Sequence, residues 1–114
     1  MRQTEIKLSI SLDKDNVPAH IMWDATDKPE DAKSGTKAFA LSIWEAENNN
    51  TLRIDLWTEH MMMGEMRRFF LQSVAGLAQT LLNATGDEAT FNDTKDLCER
   101  LAQRFLKEEK EGKV

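Results

Sequence analysis

Apolar and polar residues alternate along Ile6-Lys7-Leu8-Ser9-Ile10-Ser11-Leu12, the period-two mark of a half-buried strand. Asp13-Lys14-Asp15-Asn16 follows. This is turn chemistry, because short polar side chains bond their own backbone. Val17 to Asp24 then returns as a second strand. Pairing Leu12 with Val17 sets Leu8 opposite Ile21 and Ile6 opposite Trp23. Trp23 thereby joins the apolar face, while His20 and Met22 fall on the other. Pro18 lacks an amide donor and suits an edge or an outward-facing position.

A second hairpin is written between Ala38 and Trp57. Two alternating runs flank Glu47-Asn48-Asn49-Asn50, an Asn-rich turn signal. A turn centred on Asn48 and Asn49 sets Trp44 opposite Arg53, Ile43 opposite Ile54 and Leu41 opposite Leu56. One face then collects Phe39, Leu41, Ile43, Leu52, Ile54 and Leu56, an expected core wall. The other collects Ala40, Ser42, Trp44, Arg53, Asp55 and Trp57. Between the hairpins, Ala25 to Lys37 is polar, carries Pro29 and Gly35, and reads as a surface loop.

After Trp57 the period changes. Met66, Phe70, Val74, Leu77 and Leu81 recur at helical spacing. Phe69, Leu71, Ala75, Gly76, Ala78 and Leu82 widen the apolar arc to about 200°, which calls for more than one neighbour. Gly76 costs about 1 kcal/mol of helix propensity relative to alanine, and close packing is one explanation for it. Gly86 is placed to end the helix in a left-handed cap. Thr90 with Asp93 resembles a capping box opening a second helix, whose stripe is Phe91, Thr94, Leu97, Cys98, Leu101, Ala102 and Phe105. The charged tail from Lys107 is expected to fray. The expectation is one α+β domain over residues 1–114. Its four-stranded antiparallel sheet has strands at about 4–12, 17–24, 38–46 and 51–58. Two C-terminal helices, at about 63–84 and 90–109, pack on one face.

Composition narrows the function classes. The chain has 114 residues and a net charge of −5, which disfavours nucleic acid and anionic membrane surfaces as partners. Cys98 is the single cysteine, so no internal disulfide forms, and a reducing cytoplasmic location fits. No apolar run approaches the roughly 20 residues of a spanning helix, and the first residues lack the apolar stretch of a secretory signal.

The chemical motifs are few. The five glycines are too scattered to cradle a phosphate, and no metalloprotease or paired-cysteine motif is present. His20 and His60 stand alone and read as structural or solvated. Asp13, Asp15 and Asp24 faintly suggest a calcium loop, but Pro18 holds its glycine position, so a hairpin turn fits better. Cys98 reads as a buried, inert thiol. Met61-Met62-Met63 reads as gap-filling at a strand-to-helix corner, or else as an adaptable contact. No catalytic, cofactor or metal residues are assigned, and the expectation is a non-enzyme. What remains is the mixed face of the second hairpin. Trp44 opposite Arg53 suits a cation–π contact, Asp55 and Trp57 extend the row, and Met22 is expected nearby. Either the loop from Ala25 to Lys37 covers these rings or another molecule does. Met22, Trp44, Arg53, Asp55 and Trp57 are the partner-binding candidates.

These residues resemble the gliding-motility protein GldC family of gliding bacteria. The resemblance is carried by Ile21-Met22-Trp23, Leu41-Ser42-Ile43-Trp44-Glu45, Thr51-Leu52-Arg53-Ile54-Asp55-Leu56-Trp57-Thr58, and Glu65-Met66 with Phe69-Phe70. The segment Leu52 to Thr58 is its most specific part. The family often has a proline near the corner that Met61 to Met63 occupy here, so a different local turn is expected. The resemblance implies a small cytoplasmic accessory protein of surface gliding, with partners in the gliding or secretion machinery and no cofactor. It carries no catalytic residues to transfer.

Three functions follow. The first is a protein-interaction module for a gliding or secretion assembly, possible also as a homo-oligomer. The second is a holdase, because four strands followed by two helices resembles the layout of the export chaperone SecB, by topology alone. The third is a small-ligand-binding domain, which needs a sizeable pocket.

Overall fold

In the computed structural model, which describes residues 1–112, β1 (Ile6–Leu12) and β2 (Pro18–Ala25) form an antiparallel hairpin. Leu8 stands opposite Trp23, Ile10 opposite Ile21 and Ile6 opposite Ala25. The register is thus two residues away from the one expected, with a bulge between Ser11 and Leu12 taking up the odd residue. The turn explains the slip. The Asp13 carboxylate accepts the amides of Asp15 at 2.8 Å and Val17 at 3.0 Å. Asn16 adopts a left-handed φ of 61°, a conformation asparagine tolerates. The turn therefore consumes Val17, and pairing resumes at Pro18. From Ile6 to Ser11 a slip of two leaves the side chains on their expected faces, while the bulge brings Pro18 in place of Val17 opposite Leu12; Ile21 is buried at the centre.

A third strand was not expected. Inside the supposed loop, β3 (Gly35–Thr36) pairs with Ile21 and Met22 of β2. The rest of that loop closes on Trp23. The Trp23 amide donates to the Ser34 carbonyl at 2.8 Å. Lys28 Nζ bonds the Trp23 carbonyl at 3.2 Å and lies 4.7 Å from the centre of its ring.

The expected single four-stranded sheet is replaced by two sheets. One is three-stranded, in the order β1-β2-β3; the other is two-stranded, β4 (Ala38–Glu45) with β5 (Asn50–Trp57). The physical reason is competition for one edge. The short β3 occupies the free edge of β2. Only Lys37 separates it from β4, so one run of extended chain serves first one sheet and then the other. Thr36 marks the change, its hydroxyl donating to the Ala38 carbonyl at 3.1 Å.

The helices form a second compact unit from residue 62 to the last described residue, 112, distinct from residues 1–61. α1 (Met63–Thr85) and α2 (Glu88–Lys110) pack as an antiparallel helical hairpin. The Met62 amide donates to Glu65 Oε1 at 3.2 Å, closing the first turn of α1. Gly86, at φ 74°, ends it, its amide bonding the Leu82 carbonyl at 2.8 Å. The cap of α2 is Asp87 and not Thr90. Asp87 accepts the Thr90 amide at 3.0 Å and the Thr90 hydroxyl at 2.5 Å, so the helix begins earlier than the Thr90–Asp93 pattern suggested. Ala78 is the buried residue of α1. A Cβ on Gly76 would meet nothing within 4 Å, so that glycine does not serve close packing. α1 leaves Phe70, Leu77 and Leu81 exposed.

Candidate functional site

The β4–β5 ribbon carries four of the five candidate residues, and its turn sets how they meet. The loop is Ala46–Asn49, one residue earlier than expected, with Asn49 at a left-handed φ of 47° and the Asn48 amide on the Glu45 carboxylate. Trp44 consequently stands opposite Thr51, Ser42 opposite Arg53, Ala40 opposite Asp55 and Ala38 opposite Trp57. The expected pairing of Trp44 with Arg53 is corrected by two residues, and the two become diagonal neighbours. The cation–π contact between them does not form. Arg53 instead reaches Ser42 Oγ at 2.6 Å and holds Asp55 in a forked ion pair, Nε to Oδ2 at 3.1 Å and Nη2 to Oδ1 at 2.9 Å. This fixes the guanidinium flat along the strand.

The face itself is as expected, because side-chain parity survives a slip of two. Trp44 is 62% exposed and Trp57 56%. The loop before β4 does not cover them; it covers Trp23. Met22 is separated from the group, because it belongs to the three-stranded sheet, opposite Ser9 and Gly35.

The opposite face of the ribbon is corrected more deeply. Phe39, Leu41 and Leu56 are half-buried. Ile43, Leu52 and Ile54 are 47 to 53% exposed, so the distal half of the expected core wall is bare. The ribbon presents apolar surface on both sides, and patches of that kind mark interaction sites. The methionine run behaves alike: Met62 and Met63 are exposed and only Met61 is half-buried, so gap-filling does not describe it.

The remaining candidates are plain. His20 and His60 are exposed. Cys98 is half-buried in an open groove of about 420 Å³ between α1 and α2, lined also by Leu71, Ala75, Ala78, Phe91 and Ala102. The Asp13 carboxylate is engaged by backbone amides, as a turn requires. Among the described residues no three acidic, histidine or cysteine side chains gather as a metal site, and no helix is long and apolar enough to cross a membrane. Sequence reasoning placed Phe105 on the apolar stripe of α2 but missed Arg67 and Glu108, which meet beside it between the helices. Contacts across so many residues leave no local pattern.

An exposed tryptophan-bearing ribbon and a helical hairpin define a small α+β protein whose accessible chemistry is apolar contact edged by fixed charge. The chain belongs to the GldC-like family: the model for gliding motility-associated protein GldC-like matches residues 18–107. That span includes all five partner-binding candidates. No curated protein and no solved structure matches the chain.

Proposed function

We propose that this chain is a non-enzymatic, cytoplasmic accessory protein of a gliding or secretion assembly, and that it works by binding another protein through the outer face of β4–β5. The observation that carries this reading is the exposure of Trp44 and Trp57 on one face, beside the fixed Arg53–Asp55 pair. Tryptophan and arginine are the residue types that most often anchor protein contacts. Membership in the GldC-like family supplies the setting. The lone cysteine fits a reducing compartment.

The test is co-purification from the native host with mass-spectrometric identification, comparing the natural chain with a Trp44→Ser, Trp57→Ser variant. The variant should lose a gliding or secretion component at least about tenfold, with circular dichroism and melting temperature nearly unchanged. Equal recovery by the variant, or collapse of its fold, overturns the reading.

The bare row Ile43, Leu52 and Ile54 supports a second reading, a holdase for unfolded chains. Suppression of client aggregation at stoichiometric ratios, measured by light scattering, would favour it; no suppression would exclude it.

A further inference from the structure

The free edge of β5 is complementary to itself. Among the described residues β5 pairs with β4 alone. The Thr58 amide bonds the Lys37 carbonyl at 2.8 Å, and this fixes the alternation of the ladder. Leu52, Ile54 and Leu56 turn their backbone groups to β4. Thr51, Arg53, Asp55 and Trp57 turn theirs to the open edge. Apart from the charges of Arg53 and Asp55, that edge has no proline, no lysine and no bulge to guard it, devices by which edge strands avoid pairing.

The strand from Leu52 to Leu56 is self-complementary about Ile54. Leu52 mirrors Leu56, and Arg53 mirrors Asp55 with opposite charge. We propose that two copies of this chain pair antiparallel through β5, about a two-fold axis at Ile54, giving one sheet in the order β4-β5-β5-β4. Each Arg53 then faces the partner's Asp55, twice by symmetry, and the edge-facing backbone groups of those residues meet as a hydrogen-bonded pair. Other registers fail. Centring on Arg53 or Asp55 sets like charges opposite each other. A shift by an odd number of residues joins the apolar row of one copy to the mixed row of the other. Only the Ile54 centre aligns both rows along Thr51 to Trp57. The four-stranded product also answers the weakness of the isolated ribbon, because a lone two-stranded hairpin is marginal in water. Its outer face carries the Trp44, Arg53, Asp55 and Trp57 surface twice. The inference goes beyond the proposed function and does not depend on it.

Sedimentation of the purified chain over a concentration series tests it. The natural chain should reach a dimer. R53D and D55R should each raise the dissociation constant at least about tenfold, since each creates two like-charge contacts. An equimolar mixture of R53D and D55R should restore the dimer, because every such contact becomes an opposite-charge one between the two variants. Circular dichroism checks that each variant keeps its strands. A natural chain that stays monomeric into the millimolar range, a dimer indifferent to both substitutions, or a mixture no better than its components overturns the proposal. Each of these outcomes leaves capture of another protein by the outer face separately measurable.

Discussion

Arg67 and Glu108 meet across the helical hairpin, Nη2 to Oε2 at 2.8 Å, 41 positions apart in the chain. Both side chains are under a third exposed, 23% and 29%. The guanidinium also lies 4.4 Å from the centre of the Phe105 ring, and its Nη1 is buried without a hydrogen-bond partner. The cluster ties the start of α1 to the end of α2. Glu108→Ala strands a half-buried guanidinium and should cost about 1–2 kcal/mol in urea unfolding. Arg67→Met keeps an apolar stem against Phe105 and removes the unpartnered nitrogen, so it should cost less. If Arg67→Met proves the more damaging of the two, the ion pair is not what holds this end of the hairpin.

The same substitution should have opposite signs at two glycines. Gly86 sits at φ 74°, where an alanine Cβ is strained although nothing lies within 4 Å. Gly86→Ala should destabilise by about 1 kcal/mol. Gly76 lies inside α1 with open space around it, so Gly76→Ala should stabilise by up to about 1 kcal/mol. Thermal melts of the two variants check this; a destabilised Gly76→Ala protein would show that a partner packs against that position.

Stability of α2 should depend on acid through its cap. The side-chain bond from the Thr90 hydroxyl to Asp87, followed by that from the Thr90 amide, holds the Asp87 carboxyl below its usual range. A carboxyl lowered on folding contributes stability above its unfolded value, about 3.9. That contribution is lost as pH falls through the lower folded value. Asp87→Asn keeps a capping acceptor and should flatten this part of the acid profile while leaving the neutral melting temperature close to that of the natural chain. Helicity followed by circular dichroism from neutral pH downward is the measurement, and identical acid profiles for the two proteins would remove Asp87 from the account.

The hairpins show what kind of information one sequence holds. Both ribbons pair two residues away from the expected register, and outside the bulge at Leu12 and Pro18 both keep their residues on the expected faces. Facing is a property of single positions, because successive strand residues point to opposite sides. Register is a property of the turn. The Asp13 carboxylate and the left-handed Asn16 and Asn49 decided how many residues each turn consumed, and several turns suit the same letters.

The two-residue β3 was illegible for a different reason. Gly35 and Thr36 have no alternation to display, and their strand exists only because the β2 edge was available. Once it formed, β4 could not take that edge, and the four-stranded sheet became two sheets.

By itself the sequence determined the order of the four long strands and the two helices, which of their residues share a face, the Gly86 stop and the family. These follow from local periods and from residues whose backbone preferences act within a few positions. Only the tertiary structure decided the register, the division into two sheets, the cover over Trp23 and the bareness of Trp44, Trp57, Ile43, Leu52 and Ile54. Exposure depends on what else occupies the space above a side chain, and that is settled by competition among distant segments for the same edges and faces.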